Sequence, residues 1–284
     1  MKVECALSEE CRRAEAGNHC IPGAVCGRPF LVAGAPRVAE LGRGGDAWLV
    51  NVSVNIECLT PDERLVLAEH WTKLGLMEHA SVAAFARFVL QLLELGAPAD
   101  LIRSTQAALA DEISHAELCF GIATELAGRS VQPAALSMTG ALDAMSPDEV
   151  VSTAFAEACL GETIAAVEAE LASEVAEDPA VKAALARIAK DEARHAELGF
   201  RFLSWVLAGF PARQRENLCR QLQVTLQREL ERASDGQPAP SERLQGFGLL
   251  SADQRMRAHS QALREIVYPC AHALGILDSA ELAA

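Results

Sequence analysis

The stretches "DEISHAELCF" (111–120) and "DEARHAELGF" (191–200) agree at seven of ten positions and lie 80 residues apart in a chain of 284. Each sits in an alanine- and leucine-rich, helix-forming run. Positions i and i+3 of a helix share a face, so Glu112 points with His115, and Glu192 with His195. Their neighbours at helical spacing are apolar: Ala108, Ala116 and Cys119 in one run, Ile188, Ala196 and Gly199 in the other. The acid and imidazole pairs therefore lie on the stripe that faces the core. A buried carboxylate without a partner is costly and normally takes a cation or a proton.

Two further acids occupy similar positions upstream. Glu78 is flanked by Trp71, Leu74, Val82 and Phe85, and Glu162 by Phe155, Ala158, Cys159, Ala166 and Ala169. "LMEHASVAAF" (76–85) aligns loosely with "LGETIAAVEA" (160–169), so the chain reads as two copies of one helical hairpin. Thr60-Pro61-Asp62-Glu63 caps a first helix, A, that runs to about Leu95, before Gly96. Helix B follows from about Pro98 to Ala127. Residues 128–145 form a long connection, Ser146-Pro147-Asp148-Glu149 opens helix C to about Val175, and Asp178-Pro179 opens helix D to about Gly209. A long link between two tight hairpins implies that B and C run parallel.

Outside these four helices the pattern changes. Residues 1–58 are rich in Gly, Pro and Cys, and "RPFLVAG" (28–34), "PRVAEL" (36–41) and "AWLVNVSVNI" (47–56) suggest short strands. Two more helices are expected near 212–233 and 252–274, separated by the loop "DGQPAPSERLQGFG". The expected class is all-α, in three parts: a non-helical prefix (1–58), a four-helix unit with one long crossover (59–210) and a helical extension (211–284).

Half of the residues are hydrophobic, only 5% are aromatic, and the net charge is −14. That balance disfavours nucleic acid and anionic membranes as partners, because both are polyanions. No apolar run reaches about 18 uninterrupted residues and the N-terminus lacks a signal-peptide core, so a soluble, cytoplasmic protein is expected. The nine cysteines include no Cys-x-x-Cys pair. Cys5, Cys11, Cys20 and Cys26 leave disulfides, a zinc site with His19, or free thiols open.

Glu78, Glu112, His115, Glu162, Glu192 and His195 together supply four carboxylates and two imidazoles. That set suits two divalent first-row metals, whose charge would cancel that of the carboxylates. It resembles the ligand set of the ferritin-like di-iron carboxylate superfamily, over about residues 60–210. The resemblance implies a ferritin-like four-helix bundle, iron as the metal pair (manganese–iron and others share these ligands), and a dimetal centre that is itself the catalytic group. Asp-Glu-x-x-His also resembles the motif of the multicomponent monooxygenases, where the Asp is an outer partner. By that analogy Asp111 orients His195 and Asp191 orients His115.

Cys119 lies one turn past His115, where the ribonucleotide-reductase branch carries its radical tyrosine and the monooxygenase branch can carry cysteine. Cys119, Cys159, Phe85, Phe155 and Ser81 are candidates for a pocket wall, with core packing as the alternative for the two thiols. Tyr268, the one tyrosine, lies outside the four helices. Gly75, Ala116, Ala165, Ala166 and Gly199 would leave room for a substrate or let helices pack closely. Glu117, Glu168, Glu170 and Glu197 are expected in solvent, and His79 in a packing role. The function implied is an oxidase or oxygenase that uses O2 on an unidentified small molecule or peptide, with an unknown electron donor. The alternative is iron handling or peroxide scavenging. Without a rubredoxin-type motif, and with segments flanking the helices, a monomer or homodimer is expected rather than a storage cage.

Overall fold

The computed structural model describes residues 27–42, 44–231 and 240–277, and these are mostly helical. Cys5, Cys11, Cys20, Cys26 and His19 lie outside the described residues. Helix α1 (Pro61–Glu94) starts at Thr60, whose side chain accepts from the Glu63 amide while the Glu63 carboxylate accepts from the Thr60 amide. Helix α2 (Ala99–Ala127) ends on Gly128 in the left-handed region, at φ 64°. Ser146 repeats the reciprocal cap at the start of α3 (Pro147–Ala154). That helix continues without a break through a π-helical segment (Phe155–Glu162) into α4 (Thr163–Val175). Asp178 accepts from the Ala180 and Val181 amides and opens α5 (Pro179–Gly209). These caps satisfy amides that have no partner inside the helix.

The apolar stripes pack into two clusters. Leu67, Trp71, Leu74, Phe120, Ile122, Ala169, Leu185 and Ile188 belong to the first. Phe85, Phe88, Leu101, Phe155, Leu203 and Phe202 belong to the second. Along α1 and α5 the chain passes from the first cluster to the second; along α2 and the 147–175 rod it passes from the second to the first. Helix α2 and that rod therefore run parallel, as a long 128–146 connection permits. Glu78, Glu112, Glu162 and Glu192 all fall between the clusters in sequence.

The C-terminal elements complete this core. Helix α6 (Ala212–Leu230) adds Leu218, Leu222 and Leu226 to the second cluster. A short helix, α7 (Glu242–Gln245), interrupts the expected loop, and just past it the Phe247 carbonyl accepts from Trp71 Nε1 at 3.2 Å. Helix α8 (Ala252–Gln261), a second π segment (Ala262–Val267) and α9 (Tyr268–Ala273) follow, and the first two of these pack on α4. Glu168 is consequently buried, not solvated: its face of α4 is covered by elements that the helical period of α4 cannot reveal.

The prefix holds less strand than its sequence suggests. Among the described residues only β1 (Leu31–Val32) and β2 (Ala35–Pro36) pair, around Ala33 and Gly34 at φ 51° and 78°. Leu41 makes one bridge to Pro133. Residues 47–56 form no strand; their side chains and backbone pack instead on helices, Val50 and Val52 against Gly121 of α2 and Trp48 against His79 of α1. A Cβ at Gly121 would collide with the Val50 carbonyl and come within 3.0 Å of Val52. The Asn55 amide ties this segment to the cap of α5 by donating to Asp178 Oδ2 at 2.9 Å.

Close packing also accounts for two other glycines. A Cβ at Gly75 would come within 2.9 Å of the Phe120 ring, and one at Gly199 within 2.7 Å of Ala158 Cβ. Two helices, Pro61–Glu94 and Pro147–Val175, have the length and apolar character of a membrane span despite the absence of long uninterrupted runs. Their apolar windows are 50% and 78% buried within the protein and carry Glu78 and Glu162.

The Gly121 contact yields a test of this packing. Gly121→Ala is expected to destabilise the fold by about 1–3 kcal/mol, the usual cost of overpacking, seen as a lower melting temperature. An unchanged melting temperature would show that the 48–56 segment is not held against α2.

Candidate metal centre

All six predicted ligands converge. Glu78, Glu112, His115 and Glu192 bring one ligand atom each within 4.8 Å of one another, and so do Glu112, Glu162, Glu192 and His195. Glu112 and Glu192 belong to both groups. None of the six is more than 2% exposed. His115 Nδ1 lies 3.7 Å from Glu78 and 3.4 Å from Glu192. His195 Nδ1 lies 2.9 Å from Glu112 and 3.4 Å from Glu192.

The far nitrogen of each ring turns outward to an aspartate. His115 Nε2 is 3.1 Å from Asp191 Oδ2, and His195 Nε2 is 3.2 Å from Asp111 Oδ2. The cross-pairing also shows that α2 and α5 pass each other antiparallel. Asp111 and Asp191 in turn both hold Arg194 at the surface, and Arg187 lies 3.7 Å from Asp191. Each imidazole thus has one nitrogen tied to an acceptor and the other, Nδ1, presented to the carboxylates, the arrangement usual for a metal-bound histidine.

The donor atoms fit a cation better than they fit each other. Glu78 Oε2, both oxygens of Glu112, Glu162 and Glu192, and Nδ1 of His115 and His195 are buried and make no well-directed hydrogen bond among the described residues. Native proteins rarely bury so many polar atoms unpaired, because each costs its full desolvation penalty. This buried group of acids and imidazoles can hold a metal ion.

Charge crowding shows in the proton affinities. Burial and the charge of Glu192 push the Glu112 and Glu162 carboxyls well above the ordinary range. Burial acts the same way on Glu192, but contacts with Glu162, His115 and His195 outweigh it and hold that carboxylate low. Burial alone would depress both imidazoles; Asp191, Glu192 and Glu78 raise His115 well above its usual value, and Asp111, Glu112 and Glu192 do so for His195. The bond to His195 holds Asp111 low. Asp191 is also low, because His115 and Arg194 outweigh its burial.

The remaining predicted residues pack around this cluster. Phe85 is fully buried, with its ring 5.2 Å from that of His195, edge to face. Phe155, Cys119 and Cys159 are fully buried, and burial pushes both thiols well up, so they stay protonated. Cys159 Sγ would be 3.2 Å from a Cβ at Gly199. Ser81 donates to the Arg28 carbonyl at 2.7 Å. His79 is half-buried, edge-on to Trp48 at 4.8 Å, and burial lowers its basicity.

Four residues at the site escape sequence reasoning: Gly27, Arg28, Arg87 and Glu157. Glu157 is buried and accepts from Arg28, Arg87 and the Leu31 amide. It lies five residues before Glu162, a spacing off the stripe of an α-helix. The π segment, with its i to i+5 bonding, brings both inside.

Comparison of the chain with models of protein families, with curated proteins and with solved structures finds no match in any of the three.

Two outcomes test the centre. Glu112, Glu162, His115 and His195 all have raised affinities, so the stability they contribute is full at low pH and lost as the pH rises. With metal removed by a chelator, the melting temperature is expected to fall as the pH rises above about 5; saturating Mn(II) should reverse the fall, and a flat profile would contradict the electrostatics. Asp111→Asn should leave the fold intact and weaken metal affinity by about 10–100-fold, measured by competition with a chromophoric chelator.

Proposed function

We propose that residues 59–210 form a ferritin-like four-helix bundle around a dimetal carboxylate centre, and that the protein is an O2-dependent oxidase or oxygenase. One observation carries this reading: six ligand side chains from four helical segments meet at no more than 2% exposure, with inner atoms that make no well-directed hydrogen bond and both imidazoles held from behind by aspartates. A salt-bridge network built for stability would instead join those atoms by well-directed hydrogen bonds. Four carboxylates match the charge of two divalent ions, and iron is the first expectation for this nitrogen and oxygen set, with manganese–iron and other pairs sharing the ligands.

When bound, two redox-active ions would supply the electrons that reduce O2 and take electrons back from a substrate or an external donor. The chain supplies position and environment. Glu112 and Glu192 belong to both ligand groups and would be shared between the two ions, while Glu78 with His115 would hold one and Glu162 with His195 the other. Asp111 and Asp191 hold the outer ring nitrogens so that Nδ1 faces inward. Phe85 and the two neutral thiols form part of the dry wall. The substrate is a small molecule or peptide, the acidic surface is unsuited to nucleic acid or anionic membrane, and the protein acts in the cytoplasm as a monomer or homodimer.

The test is anaerobic loading with Fe(II), metal counting, then O2 mixing followed by absorbance. Two irons per chain and an O2-dependent optical change are expected, with Glu112→Ala and Glu192→Ala each cutting occupancy sharply. Fewer than one metal per wild-type chain would overturn the reading. A hollow multi-subunit assembly by light scattering would move it to iron storage.

A further inference from the structure

The chain crosses its own candidate metal centre just before β1. A Cβ at Gly27 would lie 3.3 Å from both Glu192 Oε1 and Glu78 Oε2, and 3.5 Å from Ser81 Oγ, so the main chain itself rests against the ligand carboxylates. The next carbonyl, of Arg28, accepts from Ser81. Pro29 then passes so close to the 147–175 rod that a Cβ at Gly161, beside Glu162, would come within 2.9 Å of Pro29 Cδ. Two glycines thus make room for one crossing, the first in the crossing segment itself and the second on the helix it passes.

The crossing is held by buried charge. Arg28 is 1% exposed, lies over the Phe85 and Phe88 rings at 4.7 and 4.4 Å, and donates from Nε to Glu157 at 3.2 Å. Arg87 of α1 donates to the other Glu157 oxygen and to the Leu31 carbonyl. The Leu31 amide donates to Glu157 at 3.0 Å. Glu157 therefore collects two guanidiniums and a main-chain amide from two other parts of the chain. A buried ion group of this kind is weak evidence for overall stability but fixes geometry, and removing one partner strands the others. The geometry fixed here is the path of residues 27–32 over the centre.

We propose that residues 27–32 are a strap that sets what reaches the metal centre, with Gly27 as the seal and Glu157 as its latch. This deepens the dimetal reading and rests on it. With the strap down, metal ligands, water and molecules of two or three atoms reach the ions; a larger organic substrate meets them only once the strap lifts. Glu157 and Arg28 are positioning residues: they act through the strap and touch neither metal nor substrate.

The test uses full-length protein loaded with Co(II), whose visible spectrum reports a new ligand without any turnover. Azide should change the wild-type spectrum and benzoate should not. Glu157→Gln should admit both, and should lose cobalt to excess chelator about tenfold faster or more, as loss of one partner from a buried ion group predicts. Ser81→Ala, which loosens the strap without stranding a charge, should shift both readouts the same way by less; it carries the test if Glu157→Gln is unfolded by circular dichroism. Benzoate acting on wild type as readily as azide, or wild-type release rates in the folded variants, would overturn the strap. Wild type that binds no cobalt would instead overturn the metal reading, and the proposal with it.

Discussion

Four carboxylates and two imidazoles are held at or below 2% exposure at one point in this protein, with their inner atoms left without hydrogen bonds. No other group of residues in the described structure leaves so many buried polar atoms without a well-directed hydrogen bond, and desolvating charge is among the most expensive things a fold can do. The rest of the molecule is arranged to make that possible. Apolar clusters lie on either side, so the four helices cannot slide or rotate the acids outward without exposing Trp71, Phe120, Phe85 or Phe202. Caps at Thr60, Ser146 and Asp178 fix where three of the helical rods begin, and hence the height at which each ligand meets the others.

Charge is passed outward in layers. The inner imidazole nitrogens face carboxylates, the outer ones face Asp111 and Asp191, and those acids face Arg194 at the surface. Each layer has a partner on its outer side, so the unmet demand is confined to the innermost atoms, where a divalent cation is the natural complement. The two halves of the chain contribute to this almost symmetrically. They differ in the second half, where the π segment turns Glu157 inward beside Glu162 and provides the anchor for Arg28 and the strap. One local departure from α-helical bonding thus serves both the ligand set and what covers it.

Much of this was legible in the residues. The 3.6-residue period, the Pro- and Glu-containing caps and the glycine stops gave the four long helices nearly to the residue, because these are local preferences that tertiary contacts here reinforce. The six acids and imidazoles stood out because polar groups on an apolar stripe break the pattern that otherwise defines the stripe. Even the cross-pairing of Asp111 with His195 and Asp191 with His115 followed from a resemblance carried by local motif, and in the structure those atoms lie within 3.2 Å.

What the sequence could not supply depends on partners distant along the chain. The prefix looked strand-like from its apolar residues, yet residues 47–56 place theirs on the helices, Val50 and Val52 beside Gly121 and Trp48 beside His79. Glu168 looked solvated because the helices that cover it lie some 90 residues further on. Glu157 drew no notice in the sequence; a π segment turns it inward toward Arg28, 129 residues away. Local periodicity determined the helices and the acids and imidazoles on their inner faces; only the tertiary structure decided which polar groups were covered and by what, because burial is a property of the other side of the contact.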